Sequence, residues 1–274
     1  MNRIFLIVFL VGFLAACQQS EDTEPTPPVT EPMPAATSKA ESECHLSLGW
    51  DPWEPYHFSG VGGEMQGLDI DLVNELAERA GCRLEFVQGS WAGLLRLIRL
   101  GDLDMLLGAT HTSEREEFAW FSAPYRHEEF LLYVRASELN QWAADSLREL
   151  LGNDFRIGVT QGYIYSAPIN ELQTDPNYQD SFVEAAVGEL NFTHLMDYRI
   201  DGFIEDPFVA ATIQRRRSWG GEIEPLPLDF GSGEVHILFS RASVDEQQVR
   251  QFDRALESMR DDGTYDAIMQ RYLQ

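Results

Sequence analysis

Between residues 46 and 107 the apolar residues switch period repeatedly, and that alternation restricts the fold more than any other feature of the chain. Leu46, Leu48 and Trp50 alternate with small or polar residues, the period of a strand, and Gly60-Val61-Gly62-Gly63 then reads as a turn. Leu72, Val73, Leu76, Ala77 and Ala80 fall at helical spacing, with Asp71 as cap and Gly81 as stop. Leu84 to Val87 is a strand, Trp91 to Leu100 a helix closed by Gly101, and Leu103 to Leu107 a further strand. This βαβαβ order predicts an α/β fold with a mainly parallel sheet and right-handed crossovers.

The pattern restarts at Phe130 to Val134 with an apolar strand, followed by a short helix over Ser146 to Leu151 and a strand over Phe155 to Thr160 that enters Gln161-Gly162. Phe203-Ile204 and Val235 to Phe239 are further strands, and Val244 to Leu273 is helical with a break at Asp262-Gly263. Two α/β lobes are expected, one from 44–134 plus 236–274 and the other from 135–235. The crossings are expected near Tyr133 to Ala136 and Gly231 to His236, with the ligand site in the cleft between lobes.

Residues 1–16 have the features of a signal peptide: Arg3, an apolar run from Ile4 to Leu14, then Ala15-Ala16 before Cys17. The ending Leu14-Ala15-Ala16-Cys17 resembles a bacterial lipobox, which implies cleavage before Cys17 and its acylation. Residues 17–43, rich in Pro, Thr, Ser and Glu, then read as a disordered tether with a reach of roughly 30 Å. Gln18 is compatible with sorting to an outer membrane where the cell has two. Export also favours a disulfide between Cys44 and Cys82, which open the strands at Leu46 and Leu84; two such strands starting side by side would bring the cysteines within bridging range.

A net charge of -25 argues against nucleic acid as a partner, and Arg215-Arg216-Arg217 reads as a solvated helix face. The 6 histidines lack metal-binding spacing, no Gly-x-Ser-x-Gly is present, and no cofactor is implied.

The most informative local stretch is Gly108-Ala109-Thr110-His111-Thr112-Ser113-Glu114-Arg115, followed by Phe121-Ser122-Ala123-Pro124-Tyr125. It sets a hydroxyl and a guanidinium where a strand hands over to a helix, with Ser113 and Glu116 as a capping box. A carboxylate there would meet helix N–H groups, Thr110 and a two-pronged Arg115. The same residues also read as a strand end, a cap and a solvated helix residue.

Taken in order, these segments resemble type II bacterial solute-binding proteins, in particular the branch serving polar amino-acid ABC importers. The resemblance is carried by Gly49-Trp50-Asp51-Pro52-Trp53-Glu54-Pro55-Tyr56, Gly67-Leu68-Asp69-Ile70-Asp71-Leu72, Trp91, the Thr110 to Arg115 stretch, Gly158-Val159-Thr160-Gln161-Gly162, Asp201-Gly202-Phe203-Ile204-Glu205-Asp206 and Asp262-Gly263-Thr264-Tyr265. It implies a monomer with two crossing strands as hinge, closing on a small zwitterion that it passes to an inner-membrane permease. It implies that Arg115 and Thr110 hold the ligand carboxylate, that the Gly108 carbonyl and Asp206 take its amine, and that Trp53, Tyr56 and Trp91 line the first-lobe wall. Asp206-Pro207 is also a helix start, so Asp206 has a second reading as a cap. Asp51 and Glu205 lie near the expected mouth and would favour a cationic side chain if they face inward.

One departure from the family pattern is Gly162-Tyr163-Ile164-Tyr165, where relatives carry Ser or Thr after the glycine. It implies a pocket reshaped by Tyr163 or a ligand other than a simple amino acid. A sensor domain for a membrane receptor, or an enzyme like cyclohexadienyl dehydratase using Glu205 or Glu54 as acid, would use the same fold.

Overall fold

The alternating periods resolve, in a computed structural model that describes residues 44–272, into two mixed α/β lobes. The signal segment, Cys17 and the tether lie outside the described residues. Among the described residues no helix is long and apolar enough to cross a membrane.

The first lobe starts with β1 (Cys44–Trp50), a hairpin of β2 (Phe58–Ser59) and β3 (Met65–Gln66), and α1 (Leu68–Ala80). It continues through β4 (Cys82–Gln88), α2 (Trp91–Leu100), β5 (Met105–Thr110), α3 (Ser113–Glu116), β6 (Ala119–Phe121) and β7 (Arg126–Glu129). The α1 start differs from expectation: Gly67 is the cap and Asp71 lies inside the first turn with Asp69. At φ 126 only Gly67 can make the bend that lets the helix begin so early, because a Cβ there would strike the Tyr56 carbonyl at 2.2 Å. The expected stops at Gly81 and Gly101 are both present in left-handed geometry.

The second lobe holds β8 (Leu131–Arg135), α4 (Leu147–Leu151), β9 (Ile157–Thr160), α5 (Ala167–Thr174), β10 (Phe182–Ala185) and α6 (Glu189–Met196). It is completed by β11 (Gly202–Glu205), α7 (Pro207–Arg217) and β12 (Ile223–Pro225). The chain then returns through β13 (Ser232–Ser240) to α8 (Glu246–Asp261) and α9 (Thr264–Tyr272) on the first lobe, with the expected break at Asp262-Gly263.

The first sheet has the order β4-β1-β5-β13-β6, with β7 also on β13; the second has the order β10-β9-β11-β8-β12. In each, three strands run parallel, as the βαβ pattern requires, and the strands next to the crossings pair antiparallel. Strand β8 pairs only in the second sheet and β7 only in the first, so the forward crossing is at Phe130 rather than near Tyr133 to Ala136. The return crossing lies between β12 and β13, so 232–235, expected in the second lobe, pair in the first. The apolar run that looked like one strand ending a lobe is therefore the first strand of the next.

Parallel pairing of β1 with β4 sets Cys44 opposite Cys82, and the expected disulfide joins them with Cα atoms 4.4 Å apart. At the end of α7, Arg216 pairs with Glu54 and Glu189 and Arg217 with Glu189, so the arginine run is a network of surface ion pairs.

Candidate functional site

Strand β5 ends at Thr110 and the chain turns at once into α3, a single turn of helix. Thr112, not Ser113, is its cap: Thr112 has extended backbone and its hydroxyl accepts from the Arg115 N–H at 3.2 Å. Ser113 is already helical, so the capping-box expectation is off by one residue. The turn points Arg115 inward, where it is only 5% exposed.

The Arg115 guanidinium donates from Nη1 to the Thr110 carbonyl and from Nη2 to the Gly162 carbonyl, both at 2.9 Å, and lies 5.6 Å from the Trp91 ring centre. Among the described residues it has no carboxylate partner within ion-pair reach. Burial therefore pulls its pKa down to about 10, with Glu114 and Glu128 opposing the shift at longer range. Gly108, two residues before Thr110, takes φ 67, a left-handed conformation open to glycine.

Arg126 is equally buried but differently placed. Its Nε and Nη2 donate to the two Asp69 oxygens at 2.9 and 3.1 Å, and the Tyr125 hydroxyl donates to the same carboxylate at 2.8 Å. Asp69 thus compensates Arg126, while Arg115 keeps an unmatched charge. Trp53 and Tyr56 stack on each other with ring centres 4.4 Å apart, and Tyr56 covers the Arg126 guanidinium at 4.1 Å.

The second lobe meets these residues through the loop after β9 and the end of β11. The Gly162 carbonyl, presented by a backbone at φ 78, accepts from both Arg115 and Trp91, the latter at 3.0 Å. Thr110 donates to the Ile164 carbonyl at 3.4 Å, and the Tyr163 hydroxyl donates to Asp51 at 3.2 Å. Tyr163 thus replaces the expected small hydroxyls with a phenol that reaches across the cleft. Glu205 accepts from the Trp53 indole at 3.0 Å. Asp206 caps α7, its Oδ1 accepting from the Phe208 and Val209 N–H groups, while Oδ2 accepts from the Tyr56 hydroxyl at 3.0 Å.

Asp51, Trp53, Trp91, Gly108, Thr110, Arg115 and Tyr163 line one cavity of about 20 Å³, joined by His57, Leu107, Glu128, Phe130 and Ile164. Gly162 touches this group through its carbonyl, and Asp206 stands behind Tyr56, outside the lining. Burial raises the pKa of each of the four carboxyl groups here: Asp51 and Asp206 upward, Glu128 and Glu205 to about 8. Against burial, the Arg126 charge acts on Glu128 and Asp206, and His57 acts on Asp51. Asp51 lines the cavity, whereas Glu205 is buried against the Trp53 indole, outside the lining.

Glu128 escaped the sequence reading because Arg126-His127-Glu128-Glu129 looks like a solvated polar run. The signal that could have found it is the strand period: in β7 Arg126 and Glu128 are buried while His127 and Glu129 are exposed.

The model of the bacterial extracellular solute-binding proteins, family 3, matches residues 46–274. The chain belongs to that family. This solute-binding protein is 25% identical over 221 residues to a probable histidine-binding protein of Neisseria gonorrhoeae, covering 80% of this chain and 78% of the relative. It is 24% identical over 247 residues to the lysine/arginine/ornithine-binding periplasmic protein of Escherichia coli, covering 87% and 91% of the two chains. Among solved structures, a histidine kinase sensor domain with similarity to periplasmic binding proteins superposes with a TM-score of 0.73 at 19% identity, covering 83% of this chain and 95% of that one. That likeness supports the two-lobed fold of the solute-binding protein.

Proposed function

We propose that this solute-binding protein captures a small zwitterionic solute, an α-amino acid, and delivers it to an ABC importer. It acts as a monomer at the periplasmic face, held by lipid on Cys17, in the outer membrane where the cell has two. The observation that carries this reading is Arg115: a buried guanidinium whose hydrogen bonds among the described residues go only to carbonyls, in a cavity that the carboxyl groups of Asp51 and Glu128 also line. Such a pair of poles matches a carboxylate and an ammonium on one small molecule. The relatives named for histidine and for lysine, arginine and ornithine support the same ligand class.

In the open form the ligand carboxylate docks on Arg115 and Thr110, and its amine on the Gly108 carbonyl. Closure about the two crossing segments brings Asp206 toward the amine and sets Trp53 against Glu205 and Trp91 against the Gly162 carbonyl. Micromolar affinity corresponds to about -8 kcal/mol, within reach of a few charge-assisted hydrogen bonds made in a closed cleft. No bond of the ligand is broken; the protein binds and releases.

Two other readings have support of their own. The sensor-domain likeness favours a receptor module that uses the same pocket. Glu205, holding its proton to about 8, has the acid a dehydratase needs. A thermal-shift screen of the purified protein against amino acids, amines and cyclohexadienyl carboxylates separates them. Saturation at a hundred times Kd adds about 2.7 kcal/mol, a rise of roughly 5–10 °C, and the reading expects it with amino acids. A rise confined to cyclohexadienyl carboxylates, with turnover, would replace it by the enzyme.

A further inference from the structure

Beside the small cavity, on the side where the chain crosses between lobes, lies a second cavity of about 390 Å³. The two share Thr110, Glu128 and Phe130 in their walls. The smaller has little room for a side chain, because Tyr163 reaches through it to Asp51. The larger has room for one.

Its polar groups are unspent. Glu128 is 7% exposed, burial is the strongest influence on its carboxyl group, and none of the influences named on it among the described residues is a hydrogen bond. The Ser166 hydroxyl, also in the wall, is buried and has no hydrogen-bond partner among the described residues. Both can accept a hydrogen bond. Apolar wall comes from Phe130 and Tyr165, edge to face with ring centres 4.9 Å apart, and from Phe230.

The space itself traces to one residue. Gly233 of β13 stands opposite Glu128 of β7, and residues paired across antiparallel strands project to the same face. A Cβ at Gly233 would meet nothing within 4 Å, so the chamber includes the place where a side chain at 233 would lie.

We propose that this hinge-side chamber is the ligand's side-chain subsite, taking an ammonium or guanidinium group on a chain of methylenes, with Glu128 as its counter-charge and Gly233 leaving it room. The inference rests on the amino-acid reading above, with Arg115 holding the other end of the same ligand. Among the described residues no cationic side chain lines the chamber. The start of α5 also borders it, but Pro168 removes one N–H donor there, and the half charge of a short helix end is outweighed by a full carboxylate. Methylenes would pack on Phe130 and Tyr165 on the way to Glu128. The way in lies at Thr110, whose 3.4 Å bond to the Ile164 carbonyl is the longest of the links between lobes around the cavity. A carboxylate that takes up the Thr110 hydroxyl releases that link.

Calorimetric titration of the purified protein with L-arginine, its neutral analogue L-citrulline and L-alanine tests the assignment. The wild type is expected to favour arginine over citrulline by about tenfold or more, the worth of a charge-assisted hydrogen bond. Glu128→Gln, close in shape and free of charge, should remove that preference. Gly233→Leu should weaken arginine and citrulline together while sparing alanine. If both variants bind arginine as the wild type does, the chamber is not the subsite and the inference falls while the amino-acid reading stands. If the wild type binds none of the three, both fall together.

Discussion

The Arg115 guanidinium of the first lobe donates to the Gly162 carbonyl of the second at 2.9 Å. The group proposed to grip a ligand carboxylate is thus also a link between lobes. A carboxylate arriving at Arg115 competes for the same donors, so ligand capture and the closed arrangement are coupled through one side chain. Trp91 donates to the same carbonyl at 3.0 Å, and keeps Gly162 engaged when Arg115 turns to the ligand.

Asp206 is divided between two tasks, and two substitutions separate them. Asparagine caps a helix as well as aspartate does, whereas alanine forfeits about 1 kcal/mol. Asp206→Asn should therefore melt near the wild-type temperature yet bind an amino acid more weakly, by about tenfold. Asp206→Ala should lose both. Calorimetric binding and melting curves on the two variants check this; Asp206→Asn with wild-type affinity would leave only the cap.

The buried carboxyl groups make stability depend on pH in an unusual direction. Glu128 and Glu205 hold their protons to about 8 in the folded protein, well above their ordinary value of 4.5. Between those two pH values the folded state binds more protons than the unfolded one, so stability falls as pH rises, by up to about 1.4 kcal/mol per pH unit for each group. Above about 8 both states are ionised and this dependence ends. Asp262, held down to about 2 by Thr264 and Arg79, gives stability that is lost only in strong acid. Melting curves from pH 5 to 9 should show a falling Tm, with a shallower fall in Glu128→Gln. The groups facing this pair are Asp51, Asp206 and the Arg126–Asp69 couple, and a cationic ligand should bind more tightly as pH rises from 6 to 8. A Tm that rises steadily over this range would contradict the picture.

The disulfide serves the fold and not the pocket. Cys44 and Cys82 begin two paired strands whose other ends, at Trp50 and Gln88, lead toward the cleft, roughly 20 Å away. Closing a loop with a separation of 38 residues is worth about 4 kcal/mol. Replacing both cysteines by serine should lower Tm markedly and leave ligand affinity within a factor of two. Loss of affinity at temperatures where the variant remains folded would show that the pocket depends on the bridge.

Most of the architecture was legible because apolar periods report helices and strands directly, and because Gly81, Gly101 and Gly263 stop helices where they fall. The cysteine pairing was legible for the same reason, since both residues open strands. Boundaries between lobes were harder. Phe130 to Val134 forms one apolar run, and nothing local to it shows that Phe130 links the sheets while Leu131 already pairs in the second. Arg115 and Thr110, marked in the sequence by a strand-to-helix turn, and Asp51, marked by the family resemblance, line one cavity. Glu128 was missed because Arg126-His127-Glu128-Glu129 reads as a solvated polar run, although its burial follows the period of the strand. The role of Tyr163 was legible only as a departure: sequence shows that a hydroxyl is lost, and only the fold shows a phenol reaching Asp51.

The most direct measurement is calorimetric binding of L-arginine and of agmatine, the same molecule without its carboxylate, to the wild type and to Arg115→Ala. The account predicts that the wild type prefers arginine by about a hundredfold, the worth of two charge-assisted hydrogen bonds, and that Arg115→Ala binds both weakly and alike. An Arg115→Ala variant that keeps the full preference for arginine would contradict the central claim that Arg115 holds the ligand carboxylate.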